Sequence, residues 1–283
     1  MIGAGSLRDA LDAATDALAA AGCDTPRLDA ELLIADALGL DRGALVTGAA
    51  SDVPSGSARA IGERVRRRVM REPVAYILGR KGFRHIELAV DSRVLIPRPE
   101  TELLVEVALA ASRGARVHDV GTGSGAVALA LVHERPDLRV SASDSSPGAV
   151  DVARANARTL GLNLPLAVAR GLPDPIAFGE PSCAYDLVLA NLPYVSIGEM
   201  ATLAPEIRHH EPHDALVSGR EGLDAIRELV AQAPAGTRMA LEHSPHQAQA
   251  VRGLLDQAQT HCDLAGRERV TAGCARAQTE GSR

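Results

Sequence analysis

Apolar positions recur at helical spacing through the first 72 residues. Leu7, Leu11, Ala14 and Leu18 fall on one face of a helix that Ser6 and Asp9 open as a capping pair and Gly22 stops. Thr25-Pro26 reads as an N-cap followed by Pro in the first helical position. It opens a second helix with Leu28, Leu32, Ala35 and Leu38 on one face and an end near Gly39. A short helical piece is expected around 42–47, and a third long helix from Ser57 to Arg71 carries Ile61, Val65 and Val69 inward. Residues 1–72 are therefore predicted to form a small helical domain.

The period changes over 73–97, where Gly breaks, β-branched residues and partial alternation predict a β-hairpin joining two domains. From 98 onward, strands and helices alternate: a helix over 100–112, strands at 115–120 and 138–144, and helices at 126–134 and 147–161. Further strands are expected at 164–169, 185–190 and 237–243, and helices at 222–233 and 244–259, with one or two strands in the tail. That alternation predicts an α/β domain over 98–283, Rossmann-like, with a mostly parallel sheet covered on both faces.

The first chemical signal is DVGTGSG at 119–125, directly after a strand and before a helix. Gly121, Gly123 and Gly125 permit a tight turn and close backbone approach, with Thr122 and Ser124 between them, and the helix N-terminus supplies free N–H groups. The spacing is not the dinucleotide fingerprint, because Ala126 stands where the last glycine of G-x-G-x-x-G would be. It is not a P-loop either, since no Gly-Lys-Ser/Thr follows. Asp144 ends the next strand, where an acid accepts hydrogen bonds from ribose hydroxyls. A nucleoside cofactor without a pyrophosphate fits this pair, and S-adenosyl-L-methionine is the common one. The bland reading is a tight turn with a helix-capping acid.

The second signal is Asn191-Leu192-Pro193-Tyr194, at the carboxyl end of a later strand. Gly121, Asp144 and Asn191 would then stand at three strand ends, where open sheets bind ligands. An amide or aromatic amine has a delocalised lone pair and attacks a methyl sulfonium poorly. The Asn191 side-chain oxygen and the Leu192 carbonyl can hold its two N–H bonds and aim the lone pair. Pro193 stiffens the backbone, and Tyr194 offers a ring face for a planar group. Asn and Pro are also ordinary turn residues, so the turn reading stands beside this one. Cytosine C5 methylation would need a Pro-Cys nucleophile, which is absent, and clustered carboxylates for a metal-assisted O-methyltransferase are not found.

Composition narrows the class. At 283 residues the chain is comfortable for two domains, and 46% apolar with 23% charged residues is ordinary for a soluble globular protein. A net charge of −6 argues against non-specific wrapping of nucleic acid, though not against a local basic patch. Cys23, Cys183, Cys262 and Cys274 form no C-x-x-C pair, so reduced thiols in a cytoplasmic protein are expected, with Cys183 a surface or core thiol. No run approaches a membrane span, and the early acidic residues are unlike a signal peptide. His209, His210 and His213 match no common zinc spacing, and no metal is expected.

EPVAYILGRKGF (72–83), VLIPRPETELLVE (94–106), DVGTGSGAVALAL (119–131), NLPY (191–194), HEPHDAL (210–216) and DLAGRERV (263–270) together resemble the release-factor glutamine methyltransferases, the PrmC/HemK family. The resemblance covers nearly the whole chain, and PRPETE is its most specific part. It implies a class I methyltransferase fold with a helical, substrate-recognising N-terminal domain. It also implies methyl transfer from S-adenosyl-L-methionine to the glutamine of the Gly-Gly-Gln loop in bacterial peptide chain release factors, with no membrane and no direct nucleic-acid partner. Gly121 to Gly125, Asp144 and Asn191 would bind the cofactor, 191–194 would hold the glutamine, and Glu100 would either wall the site or cap the next helix. The family pattern Asn-Pro-Pro-Tyr is altered here by Leu192, whose carbonyl survives the change and whose side chain is expected to matter little. Leu172 stands near the aromatic position expected beside the adenine, and would give an apolar contact only. RVRRRVMR (64–71) reads as solvated surface or, following the resemblance, as a dock for an acidic release-factor face. Two other readings stay open: a nucleic-acid adenine N6-methyltransferase using the same NLPY site, and a silent S-adenosylmethionine-binding module.

Overall fold

The computed structural model describes residues 6–46, 53–54, 56–178 and 185–277, so Cys183 lies outside the described residues. The described residues fall into two compact units: Met1–Arg80 with Ala204–His210, and Lys81–Leu203 with Glu211–Arg283.

The first unit holds α1 (Leu7–Ala20), α2 (Pro26–Leu38), α3 (Arg42–Val46), α4 (Ala58–Val69) and α5 (Val74–Leu78). Ser6 Oγ caps α1 by accepting the Asp9 N–H at 3.2 Å, and Gly39 ends α2 in the left-handed region at φ 67°. Leu7, Leu11, Ala14 and Leu18 are buried with Ile61 and Val65 of α4. The inward face of α2 matches the expected one only in part: Ala35 is buried and Leu38 packs against the core. Ala30, Leu33 and Ile34 are buried with Asp29 and Glu31, while Leu28 is exposed. The two acids are tolerated because arginines meet them: Arg68 Nε donates to Asp29 at 2.7 Å, and Arg27 and Arg42 donate to Glu31 at 2.9 and 2.8 Å.

Arg68 also corrects the reading of the basic run. It is 6% exposed, and it donates a second bond, to Glu206, at 2.7 Å. Arg71 grips the same carboxylate with Nε and Nη2 at 2.8 and 2.7 Å, and Arg67 pairs with Glu72. Burial alone would raise the Glu206 carboxyl, but Arg71, its own backbone and Arg68 outweigh that and hold it at about 2. Arg68 and Arg71 are therefore committed to internal ion pairs, while Arg67, paired with Glu72, and Arg66 keep exposed side chains. Glu206 lies on α9 (Pro205–His210), the distant segment that packs into this unit.

The stretch predicted as a hairpin over 73–97 begins instead with α5, closed by Gly79 at φ 72°. Pro73 starts that turn, and the hairpin is confined to β1 (Arg80–Phe83) and β2 (Ile86–Ala89). Phe83, Ile86 and Leu88 anchor it on the core of the second unit.

That unit continues with α6 (Glu102–Leu109), β3 (Arg116–Val120), α7 (Ala126–Glu134), β4 (Arg139–Asp144), α8 (Pro147–Leu160), β5 (Leu166–Val168), β6 (Leu187–Ala190), α10 (Asp224–Gln232), β7 (Arg238–Glu242), α11 (Ala248–Leu254), β8 (Leu255–Cys262) and β9 (Glu268–Ala275). The sheet order is β5-β4-β3-β6-β7-β9-β8, with every pairing parallel except those of β9. Residues 255–259, predicted helical, enter β8 instead, because antiparallel pairing with β9 outweighs their helix propensity. Strand order reverses between β3 and β6, and a topological switch point opens there at the carboxyl edge. Among the described residues no helix is long and apolar enough to cross a membrane.

Candidate active site

Register builds the site. Val120 of β3 pairs Ser143 of β4 and Ala190 of β6, and Ala190 in turn pairs Leu241 of β7. Gly121, Asp144, Asn191 and Glu242 are each the next residue along, so four strand ends line up at one edge. A cavity of about 330 Å³ opens there, lined by Gly121, Thr122, Gly123, Ser124, Asp144, Asn191, Leu192 and Pro193. Eight of the residues singled out in the sequence thus meet around one space.

The glycine loop turns through three positive φ angles: 73° at Gly121, 56° at Gly123 and 86° at Gly125. Two of these glycines also answer a lack of room. A Cβ on Gly121 would lie 2.9 Å from Leu192 Cδ2, and one on Gly125 would lie 2.8 Å from Leu129 Cδ1 and 3.3 Å from Ala153 Cβ. Gly125 therefore stands behind the cavity wall as the N-cap of α7, where the loop passes close to Ala153 of α8. Gly125→Ala is expected to destabilise the fold by about 1–3 kcal/mol through backbone strain and overpacking. Thermal unfolding would show it as a midpoint lower by several degrees; an unchanged midpoint would refute the packing argument.

Asp144 is held by its own loop: Oδ2 accepts the Gly123 N–H and Oδ1 the Ser146 N–H, each at 2.9 Å. Burial raises its carboxyl above the usual range, against the Ser146, Gly123 and Ser145 amides. Asp119, not singled out beforehand, also lines the cavity and is 2% exposed. Burial pushes its carboxyl to about 7, against hydrogen bonds from Thr122 and the Ala128 amide, and the Asp144 charge adds to the rise. Its signal was legible, since it heads DVGTGSG. Beneath these acids His118 bridges Ser141 and Ser143 at 2.8 and 2.9 Å and stacks on Tyr185 with centroids 4.6 Å apart. Burial lowers the imidazole to about 3, so a neutral ring ties β3 to β4.

Besides Gly125, three expected site residues stand off the cavity wall. Leu172 does not line the cavity: the chain turns at Gly171 with φ 71°, the Leu172 amide donates to Gln232 Oε1 at 2.8 Å, and its side chain packs against the core beside β6 and β7. Glu100 faces Arg269 at 3.7 Å, in a 3-10 turn ahead of α6. Tyr194 lies just past the wall, its ring partly buried and its Oη 3.5 Å from Glu242 Oε1. Burial first, and then Glu242's charge, raise that phenol well above its ordinary value. Leu192 carries more than a carbonyl. Its side chain overlies Gly121 and separates the cavity from an adjoining hollow lined by Ser145, Arg170, Gly171 and Ser218.

Asn191 itself is oriented from behind. Its Nδ2 donates to Thr101 Oγ1 at 2.9 Å. Thr101 belongs to PRPETE, which supplies a second wall through Pro97, Arg98 and Thr101. HEPHDAL supplies a third through Pro212, His213 and Asp214. The two segments are bonded together: Arg98 Nη2 pairs with buried Glu211, whose Oε2 also accepts the Ile96 N–H at 3.2 Å. Among the described residues no group of three His, Cys, Asp or Glu could hold a metal ion.

The model of the PrmC N-terminal domain matches residues 9–79, and that of the methyltransferase small domain matches 99–219. The release factor glutamine methyltransferase of Xylella fastidiosa strain Temecula1 is 42% identical over 270 residues, covering 90% of this chain and 96% of that one. The proteins of that name from Rhodospirillum rubrum and Mycolicibacterium smegmatis are 40% and 43% identical; they cover 92% and 84% of this chain, and 82% and 84% of their own length is matched. The solved catalytic domain of hMettl16, in complex with the MAT2A 3'UTR hairpin 6, aligns with a TM-score of 0.50 at 12% identity over 78% of this chain and 84% of that one, a likeness of fold. The second unit has the class I methyltransferase fold, and on sequence and architecture alike the chain belongs to the release factor glutamine methyltransferase family.

Proposed function

We propose that this chain is an S-adenosyl-L-methionine-dependent enzyme that methylates the N5 side-chain amide of the Gly-Gly-Gln glutamine in bacterial peptide chain release factors, in the cytoplasm. The observation that carries the reading is the convergence of the glycine loop, Asp144 and Asn191 on one cavity walled by PRPETE.

The residues fit the cofactor. A glycine cradle that a Cβ would fill at Gly121 admits a close ligand, and Asp144 keeps lone pairs for ribose hydroxyls. Two acids on the cavity wall, buried Asp119 and half-buried Asp144, favour a ligand carrying a sulfonium and an ammonium group. S-adenosyl-L-methionine supplies the methyl group on a sulfur that keeps the C–S electron pair when the methyl leaves. Leu172 is not part of this reading, and an apolar wall at Leu192 takes its place.

The chain's own task is to present the nitrogen. Asn191 Oδ1 and the Leu192 carbonyl each accept one amide N–H, which turns the lone pair along the transfer axis and favours positive charge at nitrogen. Pro193 holds the carbonyl in direction. Tyr194 and Glu100 do not line the cavity, so in this reading their part is to shape the glutamine's approach. The nitrogen loses its proton after transfer, and no strong base is required.

The test is methyl transfer with labelled S-adenosyl-L-methionine to purified release factors, with Gln→Ala in the Gly-Gly-Gln loop as control. Label lost in the control supports the reading. Label on RNA would point to adenine N6 chemistry instead, and cofactor binding without any transfer would point to a silent module.

A further inference from the structure

Behind Asn191 a threonine hydroxyl stands between its carboxamide and a buried acid. Asn191 Nδ2 donates to Thr101 Oγ1 at 2.9 Å, and the next polar neighbour of the Thr101 hydroxyl is the Glu242 carboxylate. Both are shut away from solvent, at 4% and 2% exposure. Glu242 Oε1 is 3.5 Å from the Tyr194 hydroxyl, while Oε2 is buried with no hydrogen-bond partner. A carboxylate so enclosed is expensive to bury unless it organises its neighbours. The fold brings it there because β7 lies beside β6 in register, which sets Glu242 next to Asn191.

We propose that Thr101 and Glu242 are positioning residues that fix which end of the Asn191 carboxamide meets the substrate nitrogen. The inference rests on the methyl-transfer reading above. A threonine hydroxyl has one proton, and an ionised carboxylate can only accept. Thr101 must therefore donate to Glu242 and has only lone pairs left for Asn191. The amide end of Asn191 turns to Thr101, and Oδ1 remains as the end free to accept the N–H of an incoming amide. If Glu242 instead holds a proton and donates it to Thr101, the hydroxyl is released to donate to Oδ1. The carboxamide then turns over and presents an N–H toward another N–H, which repels.

The charges around Glu242 make this reversal accessible. Burial is the main reason its carboxyl rises to about 7; Thr101 opposes, the Glu100 charge adds to the rise, and Arg269 and Tyr194 oppose it. Arg98 stands beside Tyr194 on the same side. The productive state is the ionised one, so turnover is retained above the folded value and falls as pH drops through it.

The experiment measures kcat and KM against pH at saturating cofactor for the full chain and three variants. Wild-type transfer to the release factor tests the activity itself, and the variants are read relative to it, so the two readings fail separately. Thr101→Val is expected to lower kcat by about 10–100-fold with cofactor affinity within about 3-fold, and Thr101→Ser to restore most of the loss. Glu242→Gln, which can donate or accept, is expected to lower kcat by about 10-fold and to flatten the acidic limb near pH 7. Asp119 titrates in the same range, but its limb would persist in Glu242→Gln, which keeps the two apart. Wild-type kcat in Thr101→Val, or an unaltered acidic limb in Glu242→Gln, would overturn the proposal. Should Val at 101 prevent folding, the isosteric Gln at 242 decides alone.

Discussion

Asn191→Ala is expected to lower kcat by about 10²–10³ while leaving the affinity for S-adenosylhomocysteine within about 3-fold. The asymmetry follows from where the side chain is anchored. Its Nδ2 is committed to Thr101, so what the cavity loses on truncation is one oriented acceptor for the substrate amide, and little of its grip on the cofactor. The glycine loop and Asp144 retain their own backbone bonds whatever stands at 191. Labelled transfer at saturating substrate gives kcat, and calorimetric titration gives the affinity on the same sample. Retained turnover would remove Asn191 from the mechanism. Asn191→Asp is a sharper companion. It keeps an acceptor but places a second acid against the Thr101 hydroxyl, whose one proton Glu242 already takes, so turnover is expected to stay low.

The strand ends of this site were legible because they depend on local signals. A run of β-branched and apolar residues, then glycines, then a helix start, marks β3 and its loop without knowledge of any partner. Asp144 and Asn191 followed from counting along the next strands. What escaped is what two distant segments create together. On α2, apolar periodicity turns Leu28 inward and leaves the acids to water, whereas Leu28 is exposed and Asp29 and Glu31 are buried by arginines up to 39 residues away. Arg68 reads as surface for the same reason, since its partners Asp29 and Glu206 are remote in sequence. Glu242 carried no motif at all, and only the pairing of β7 with β6 sets it beside Asn191.

Leu192 shows the limit from the other side. Its carbonyl could be assigned from the backbone alone, and the side chain was expected to matter little. The side chain instead lies where any Cβ on Gly121 would collide with it at 2.9 Å. Position 192 and the first loop glycine are therefore matched in size: the wider residue is accommodated because the loop has no side chain there. The same packing forms the partition between the two hollows at the sheet edge. A residue that departs from the family pattern has thus been absorbed into the cavity wall, with its contribution shifted from backbone stiffness to apolar surface.

Glu211→Ala is expected to destabilise the second unit by about 2–4 kcal/mol, near the range for breaking a buried ion pair but discounted because Arg98 keeps partial solvent access. Glu211 has a side chain only 1% exposed, against 30% for Arg98. Its two oxygens serve different masters, Arg98 through Oε1 and the Ile96 amide through Oε2. Removal leaves a guanidinium without this counter-charge and a buried N–H without its acceptor, and each carries its own desolvation penalty. Because the pair ties the PRPETE wall to the Pro212–Asp214 wall, the damage should reach the cavity as well. Thermal unfolding should show a midpoint lower by roughly 4–16 °C, and cofactor affinity should weaken in the same variant. Glu211→Gln keeps a neutral acceptor for Ile96 and loses only the charge, so its loss should be the smaller of the two. An Ala variant as stable as the parent would mean that the two walls are held by the surrounding apolar packing, and that the ion pair between the two motifs is incidental to the shape of the site.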